Sequence, residues 1–223
     1  MKHPAARPDP WGLGGRRLYL CTPDRPDLAS FVAASIEGGV DVVQLRDKRL
    51  TDGELARRAA LVQPVCADRH VPFILNDRPD LAAAIGADGV HVGQDDVPPG
   101  EARSMVGDAA IVGLSTHATS DLAAALGPEP APIDYISAGP VVPTPTKPGR
   151  PGTGAAYVTE ASGRSRWPVW ITGGVDPGSV DALVRAGARH FVVVRWLTDA
   201  EDAGAHAALL RRAIDDAVLR ADA

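Results

Sequence analysis

The chain has 223 residues, 45% of them hydrophobic, a formal net charge of −5 and two cysteines. That length suits one large domain, commonly the size of an α/β barrel, with enough apolar content for a full core. The negative balance excludes a broad nucleic-acid surface. Cys21 and Cys66 have no CxxC or Cys/His spacing and read as reduced thiols, and no apolar run approaches the ~18 residues of a membrane span.

Residues 1–16 carry some positive charge among Pro and Gly but no apolar h-region, which predicts a flexible lead-in rather than a signal peptide. A cytoplasmic location is expected. The folded domain is expected to span 17–221. Its first strand is Arg17 to Thr22. Leu28, Val32 and Ile36 then recur at helical spacing up to Gly38-Gly39. Asp41 to Asp47 is the second strand. Thr51 and Glu54 form a capping-box pair for a helix in which Pro64 predicts a kink or break.

Phe73 to Leu75 is a third apolar run, ending at Asn76-Asp77. A short Ala-rich helix closes at Gly86, and Gly89 to Val92 is a fourth run, ending at Gln94-Asp95-Asp96. Pro98 or Pro99 starts a further helix, Ile111 to Thr116 is a fifth strand, and a helix covers Ser120 to Leu126. Asp134 to Gly139 is a sixth strand. The run VVPTPTKPGRPGTG after it, dense in Pro and Gly, reads as a functional loop. Val169 to Gly174 is the seventh strand, Asp176-Pro177 an N-cap and first-turn pair for a helix to Gly187, and His190 to Arg195 the eighth strand. Leu210, Ile214 and Ala217 mark a closing helix.

Eight strands alternating with helices predict a parallel sheet closed into a single (β/α)8 TIM barrel, with an open doubly wound sheet as the alternative. No GxGxxG follows the first strand, which counts against a dinucleotide site. Barrel active sites lie at the C-terminal strand ends. Gln44, Arg46 and Lys48 fall there on one face of the second strand, as an anion-binding wall or as solvated charges. Asp77 and Asp96, at two neighbouring strand ends, suit a hard cation such as Mg²⁺; helix capping by Asp77 and a turn at Asp95-Asp96 are the alternative. Asp95 reads as a turn residue. Ser115 with His117 lacks a nearby acidic residue to orient a base, so a nucleophilic dyad is disfavoured, and His117 reads as capping or exposed. Gly173-Gly174 suits a phosphate cradle. A metal beside Arg and Lys suits a pyrophosphate better than a single phosphate.

QLRDK (44–48), ND (76–77), ADGVHVGQDD (87–96), GLSTH (113–117), the GP…PTPTKPG run (139–149) and TGG (172–174), in this order, resemble thiamine-phosphate synthase from Tyr19 to about Thr198. The resemblance implies a transferase joining 4-amino-2-methyl-5-hydroxymethylpyrimidine diphosphate to 4-methyl-5-(2-hydroxyethyl)thiazole phosphate, or its carboxylate. Pyrophosphate leaves first, and the thiazole nitrogen captures the pyrimidine carbocation. It further implies that Gln44, Arg46, Lys48, Asn76 and Lys147 contact the diphosphate, and that Asp77 and Asp96 ligate Mg²⁺. Ser115 lies near the reacting methylene, and Ser115, Lys147 and Arg46 act in the chemical step. Thr144, Thr146 and Gly174, with backbone near Val194 and Arg195, bind the thiazole phosphate. Some members carry Ser where this chain has Arg195. The implied partners are these two small molecules, with no nucleic acid or membrane and with a homo-oligomer left open. The rival readings are a thiazole tautomerase of the same superfamily and a non-catalytic barrel that binds a thiamine precursor.

Overall fold

The computed structural model describes residues 9, 11–127, 132–144 and 151–223. Eight parallel strands close into a barrel in chain order: β1 (Leu18–Thr22), β2 (Val42–Leu45), β3 (Phe73–Asn76), β4 (Gly89–Val92), β5 (Ile111–Thr116), β6 (Tyr135–Ala138), β7 (Val169–Thr172) and β8 (His190–Val193), with β8 pairing back onto β1. Around them lie α1 (Leu28–Glu37), α2 (Asp52–Ala67), α3 (Pro79–Ile85), α4 (Pro99–Val106), α5 (Thr119–Ala125), α6 (Gly154–Arg164), α7 (Val180–Arg185), α8 (Arg195–Thr198) and α9 (Ala203–Asp222). The expected closed barrel is therefore observed. No helix among the described residues is long and apolar enough to cross a membrane.

Strand alternation sorts the side chains into two cores. Leu18 and Leu20 of β1, Val43 and Leu45 of β2, Phe73 and Leu75 of β3 and their equivalents around the barrel join the buried helix faces in one large cluster. The intervening residues of the first strand halves, Tyr19, Val42, Ile74, Ile111, Tyr135 and Trp170, fill the barrel's lower interior. In the second halves the inward positions turn polar: Gln44, Asn76, His91, Ser115 and Ser137 are all buried. An apolar lower interior and a polar upper one are what direct ligands to the C-terminal end.

The opposite end is tied by three aspartates, each one residue ahead of an even-numbered strand. Asp41 accepts from the backbone N–H groups of Arg17 (2.8 Å) and Leu18 (2.9 Å). Asp88 accepts from Phe73 N–H (2.8 Å), and Asp134 from Val112 N–H (2.7 Å). Each carboxylate thus fixes the start of the preceding odd-numbered strand, satisfying donors that the ladder leaves open there. Asp134 also pairs with Arg103 at 2.5 Å, whose side chain is only 7% exposed.

Four local expectations need correction. Helix α2 carries the expected capping box at Thr51 and Glu54, yet it is not broken at Pro64. Pro64 lies in the last turn on the exposed face, and buried Val62 and Cys66 anchor the helix on either side of it. Ala60, whose carbonyl loses its partner to the proline, is exposed, so the unpaired group is open to solvent. Asp176 does not cap α7. Its Oδ1 accepts from Ser179 N–H (2.8 Å) while Ser179 Oγ accepts from Asp176 N–H (3.0 Å), a closed turn that hands the cap position to Ser179. Residues 11–16 also belong with the barrel: Leu13–Gly15 form a 3-10 helix, and Leu13 and Trp11 pack beneath the lower interior. The remainder of the expected lead-in, 1–8 and 10, lies outside the described residues. Finally, α6 and α8 have no counterpart in the sequence reading.

Candidate active site

Two neighbouring cavities open at the C-terminal strand ends. The first, of roughly 310 Å³, takes its cationic wall from the chain just past β2. Arg46 lines it half-buried, with no side-chain partner among the described residues. Gln44, still on β2, is buried, and Lys48 reaches over to Asp77 at 2.7 Å. Asn76, the last residue of β3, is 8% exposed and its amide has no partner among the described residues. A buried amide and a guanidinium left unpaired at a cavity wall are groups that a polar ligand completes.

The carboxylates face this wall. Asp77 follows β3 with φ of 62°, a left-handed conformation uncommon outside glycine and better tolerated by Asp than by most residues. Its N–H donates to the carbonyl of His91 (2.8 Å), so the kinked backbone is held by β4. Burial is the largest influence on its carboxyl and raises its pKa, and the adjoining Asp96 carboxyl, in hydrogen-bonding reach, raises it further; Lys48 opposes both. Asp96 also accepts from Gly93 N–H at 2.8 Å, so the turn expected after β4 is present and Asp96 closes it. Asp95 lines the same cavity. Asp77 does not cap α3, whose cap position is Arg78.

Two adjoining carboxylates of which one resists ionisation are the donor set a divalent cation satisfies. Among the described residues no group of three or more His, Cys, Asp or Glu could hold a metal. Two carboxylates are a donor set to which Mg²⁺ is suited, since it commonly takes one or two and completes its shell with phosphate and water.

Ser115 stands on the inner face of β5, 5% exposed. Its Oγ lies 2.8 Å from His91 Nε2 and accepts from Ser137 Oγ at 3.3 Å. Gln94 Nε2 donates to the Ser115 carbonyl (2.6 Å) and holds the strand end. His117 is half-buried: its N–H donates to Asp121 Oδ2 (2.8 Å) and its ring contacts the carbonyl of Gly139. It therefore joins β5 to the start of the loop after β6 and is not a base for Ser115.

The second cavity, roughly 420 Å³, is lined by Thr144, Gly173, Gly174, Val194 and Arg195. Gly173 and Gly174 have φ of 93° and 77°, and a Cβ on either would strike Pro140 or Val142. Glycine is thus required there for two reasons, one conformational and one steric. Arg195 opens the short α8, and Trp196 and His206 complete the wall. The two cavities share Thr172, Val192 and Val194.

The sequence-selected residues accordingly fall into two groups. Gln44, Arg46, Lys48, Asn76, Asp77, Asp96 and Ser115 line the first cavity, and Thr144, Gly174 and Arg195 the second, with Val194 between them. Thr146 and Lys147 lie outside the described residues. Sequence reasoning missed Tyr19, His91, Tyr135 and Ser137, which line the first cavity from inside the barrel. Strand alternation carried the signal: His91 and Ser137 are polar residues at inward positions of otherwise apolar strands.

The family model described as thiamine monophosphate synthase matches residues 18–197. A thiamine-phosphate synthase of Thermobifida fusca is 44% identical over 205 residues, covering 90% of this chain and 93% of the relative. One from Thermus thermophilus is 46% identical over 206 residues, covering 87% and 95%. Among solved structures, a thiamine phosphate pyrophosphorylase from Pyrococcus furiosus superposes with a TM-score of 0.81 at 24% identity, covering 91% of this chain and 96% of that one. A phosphoribosyl anthranilate isomerase from Thermotoga maritima reaches 0.63 at 16% identity over 90% and 99%. Likenesses at that identity speak for the barrel and not for its chemistry.

Proposed function

Because the chain belongs to the thiamine monophosphate synthase family, we propose that it joins a pyrimidine methyl diphosphate to a thiazole phosphate, releasing pyrophosphate and thiamine phosphate. It is an enzyme of the transferase class in thiamine biosynthesis. The observation that carries the reading is the pair of cavities with a common wall at Thr172, Val192 and Val194. One has Arg46, Lys48 and two carboxylates; the other has the Gly173-Gly174 turn. A reaction between two anionic substrates needs two such subsites in contact, so that the reacting carbon and nitrogen meet without diffusion.

In this reading the diphosphate lies against Arg46 and Lys48, with Asn76 donating to it. Asp77 and Asp96 would hold Mg²⁺, which would supply positive charge against that growing on the departing pyrophosphate. Arg46 and Lys48 act in the same sense, because charge on the leaving group is greater in the transition state than in the bound substrate. Ser115 donates a hydrogen bond at the same site. Gln44 and the barrel interior close the floor against water, which would otherwise capture the pyrimidine cation. The thiazole phosphate rests on the Gly173-Gly174 backbone with Thr144 and Arg195, presenting its ring nitrogen across the shared wall. That nitrogen attacks without losing a proton, so no general base is required. Lys147 and Thr146 are assigned to the diphosphate and thiazole-phosphate contacts on the motif alone. A thiazole tautomerase would have no use for the Lys48–Asp77–Asp96 cluster.

The test is direct. Purified protein with both substrates and Mg²⁺ is expected to form thiamine phosphate and pyrophosphate in equal amounts, with neither substrate alone yielding product and chelator stopping the reaction. No thiamine phosphate in metal-replete buffer would refute the proposal.

A further inference from the structure

A continuous hydrogen-bonded chain crosses the barrel interior and ends at Ser115. Cys21 Sγ donates to Gln44 Oε1 (3.2 Å), and Gln44 Nε2 donates to Tyr19 Oη (2.8 Å). Tyr19 Oη lies 2.9 Å from Tyr135 Oη, which lies 2.9 Å from His91 Nδ1; His91 Nε2 is 2.8 Å from Ser115 Oγ. All six residues are at most 8% exposed. A misdirected polar hydrogen in such a place is expensive, so the chain has to be consistent along its whole length.

Its direction is set by the orientation of the Gln44 amide, whose Oε1 faces Cys21 and whose Nε2 faces Tyr19. An amide nitrogen only donates, so Tyr19 accepts from Gln44 and passes its single hydroxyl proton to Tyr135. Tyr135 in turn gives its proton to His91 Nδ1. The ring then carries its proton on Nε2 and donates to Ser115 Oγ. Ser137 donates to the same oxygen at 3.3 Å. With Ser115 accepting twice from the barrel, its own proton is left to point into the first cavity. Packing holds the two rings that carry the chain in place. His91 stacks on Tyr135 with centroids 5.4 Å apart and planes at 21°. Gly113, on the strand between them, leaves the space the Tyr135 ring fills: a Cβ there would overlap that ring. Gln44 is the switch point, since the reversed amide would run every bond the other way and draw the Ser115 proton toward His91.

We propose that His91 is a positioning residue for group transfer: held as the Nε2–H tautomer by the chain from Gln44, it turns the Ser115 hydroxyl proton toward the anion in the first cavity. The role assigned to that proton rests on the diphosphate reading above; the tautomer does not. No proton is transferred. A preset donor aimed at the leaving group strengthens as charge develops, so its loss is read mainly in kcat.

The experiment has two arms. In the first, ¹⁵N-detected NMR of the ligand-free protein at neutral pH reads the His91 ring, assigned by its absence in His91→Gln. A protonated Nε2 and a bare Nδ1 are expected, and Tyr135→Phe should remove this preference; the opposite tautomer, or no change in Tyr135→Phe, overturns the proposal. In the second, turnover is measured for His91→Asn and His91→Gln, normalised to folded fraction by circular dichroism. The Gln amide extends to the Nε2 position and keeps a donor for Ser115, so kcat is expected within about threefold of the parent. The shorter Asn is expected to lose about 10- to 100-fold in kcat with KM nearly unchanged. In a Ser115→Ala background the Asn substitution should cost nothing further. Equal losses for Gln and Asn, or an undiminished loss without Ser115, overturns the proposal. Should the parent make no thiamine phosphate, the function proposal fails, and the NMR arm still judges the tautomer.

Discussion

Asp77→Asn is expected to raise thermal stability in metal-free buffer while abolishing most turnover. The substitution is nearly isosteric, and Asn accepts the left-handed backbone at φ 62° as well as Asp does. What changes is charge. Asp77 loses its contact with Lys48, an ammonium whose side chain is 58% exposed, so that pair contributes about 0–1 kcal/mol. In return it loses the desolvation of a half-buried carboxylate and the repulsion of Asp96, which together outweigh Lys48, because the carboxyl's pKa lies above its ordinary value. The net effect is a gain in stability, read as a rise in Tm. A folded-state pKa raised above the unfolded one means that the folded protein holds the proton more tightly, so ionisation destabilises it. The gain should therefore be present at neutral pH, shrink as pH falls through the raised value, and vanish below the ordinary carboxylate range. The assay is a melting series from pH 3.5 to 8 in chelator for parent and variant, with turnover in Mg²⁺ expected to drop by at least about 100-fold. A lower Tm at neutral pH with turnover intact would show that the Lys48 pair dominates and that the carboxylate serves the fold.

Two further outcomes concern the opposite end of the barrel. Asp134→Ala leaves the buried Arg103 guanidinium and the Val112 N–H without their shared acceptor, and should cost about 3–5 kcal/mol in urea denaturation while leaving KM for both substrates unchanged; a loss under 1 kcal/mol would mean that the remaining Arg103 bonds to backbone carbonyls suffice. His190 is buried, which lowers its pKa, and its Nδ1–H donates to the carbonyl of Arg16 (2.6 Å). Stability should hold above about pH 6.5 and fall as acid protonates the unfolded chain first, so Tm should drop toward pH 5 and His190→Gln should flatten that drop; an unchanged slope refutes the assignment.

Much of the fold was legible because each strand is a short apolar run bounded by turn residues. Ile111 to Thr116 coincides with β5, and the Thr51–Glu54 capping box forms as expected. The charged wall was legible in its residues but not in its geometry: of Gln44, Arg46 and Lys48 only Gln44 is on β2, and Arg46 and Lys48 reach the same cavity from the loop after the strand ends at Leu45. Other features depend on tertiary context. Pro64 breaks no helix, because Val62 and Cys66 are buried on both sides of it. Helix α8 is four residues long, too short for a periodic signal. His91 was overlooked because GVHV reads as an apolar run, and nothing local reveals that its one polar side chain faces a tyrosine 44 residues further on.

Tyr19 and Tyr135 tie the two halves of the interior together. Their rings belong to the apolar cluster over Leu13, with Trp170 edge-on to Tyr19 at 5.2 Å, while their hydroxyls carry the polar chain to Ser115. A ring placed by packing sets where its hydroxyl lies to within a fraction of an ångström. The orientation of a cavity hydroxyl is thereby governed by side chains anchored in the lower core. It follows that substitutions in the lower core, such as Gly113→Ala beneath the Tyr135 ring, should affect the two readouts differently. Loss of packing alone lowers Tm and leaves kcat per folded molecule intact. Displacement of the Tyr135 hydroxyl lowers kcat even in the fraction that remains folded. Comparing those readouts separates the barrel's role as a scaffold from its role in aiming the site.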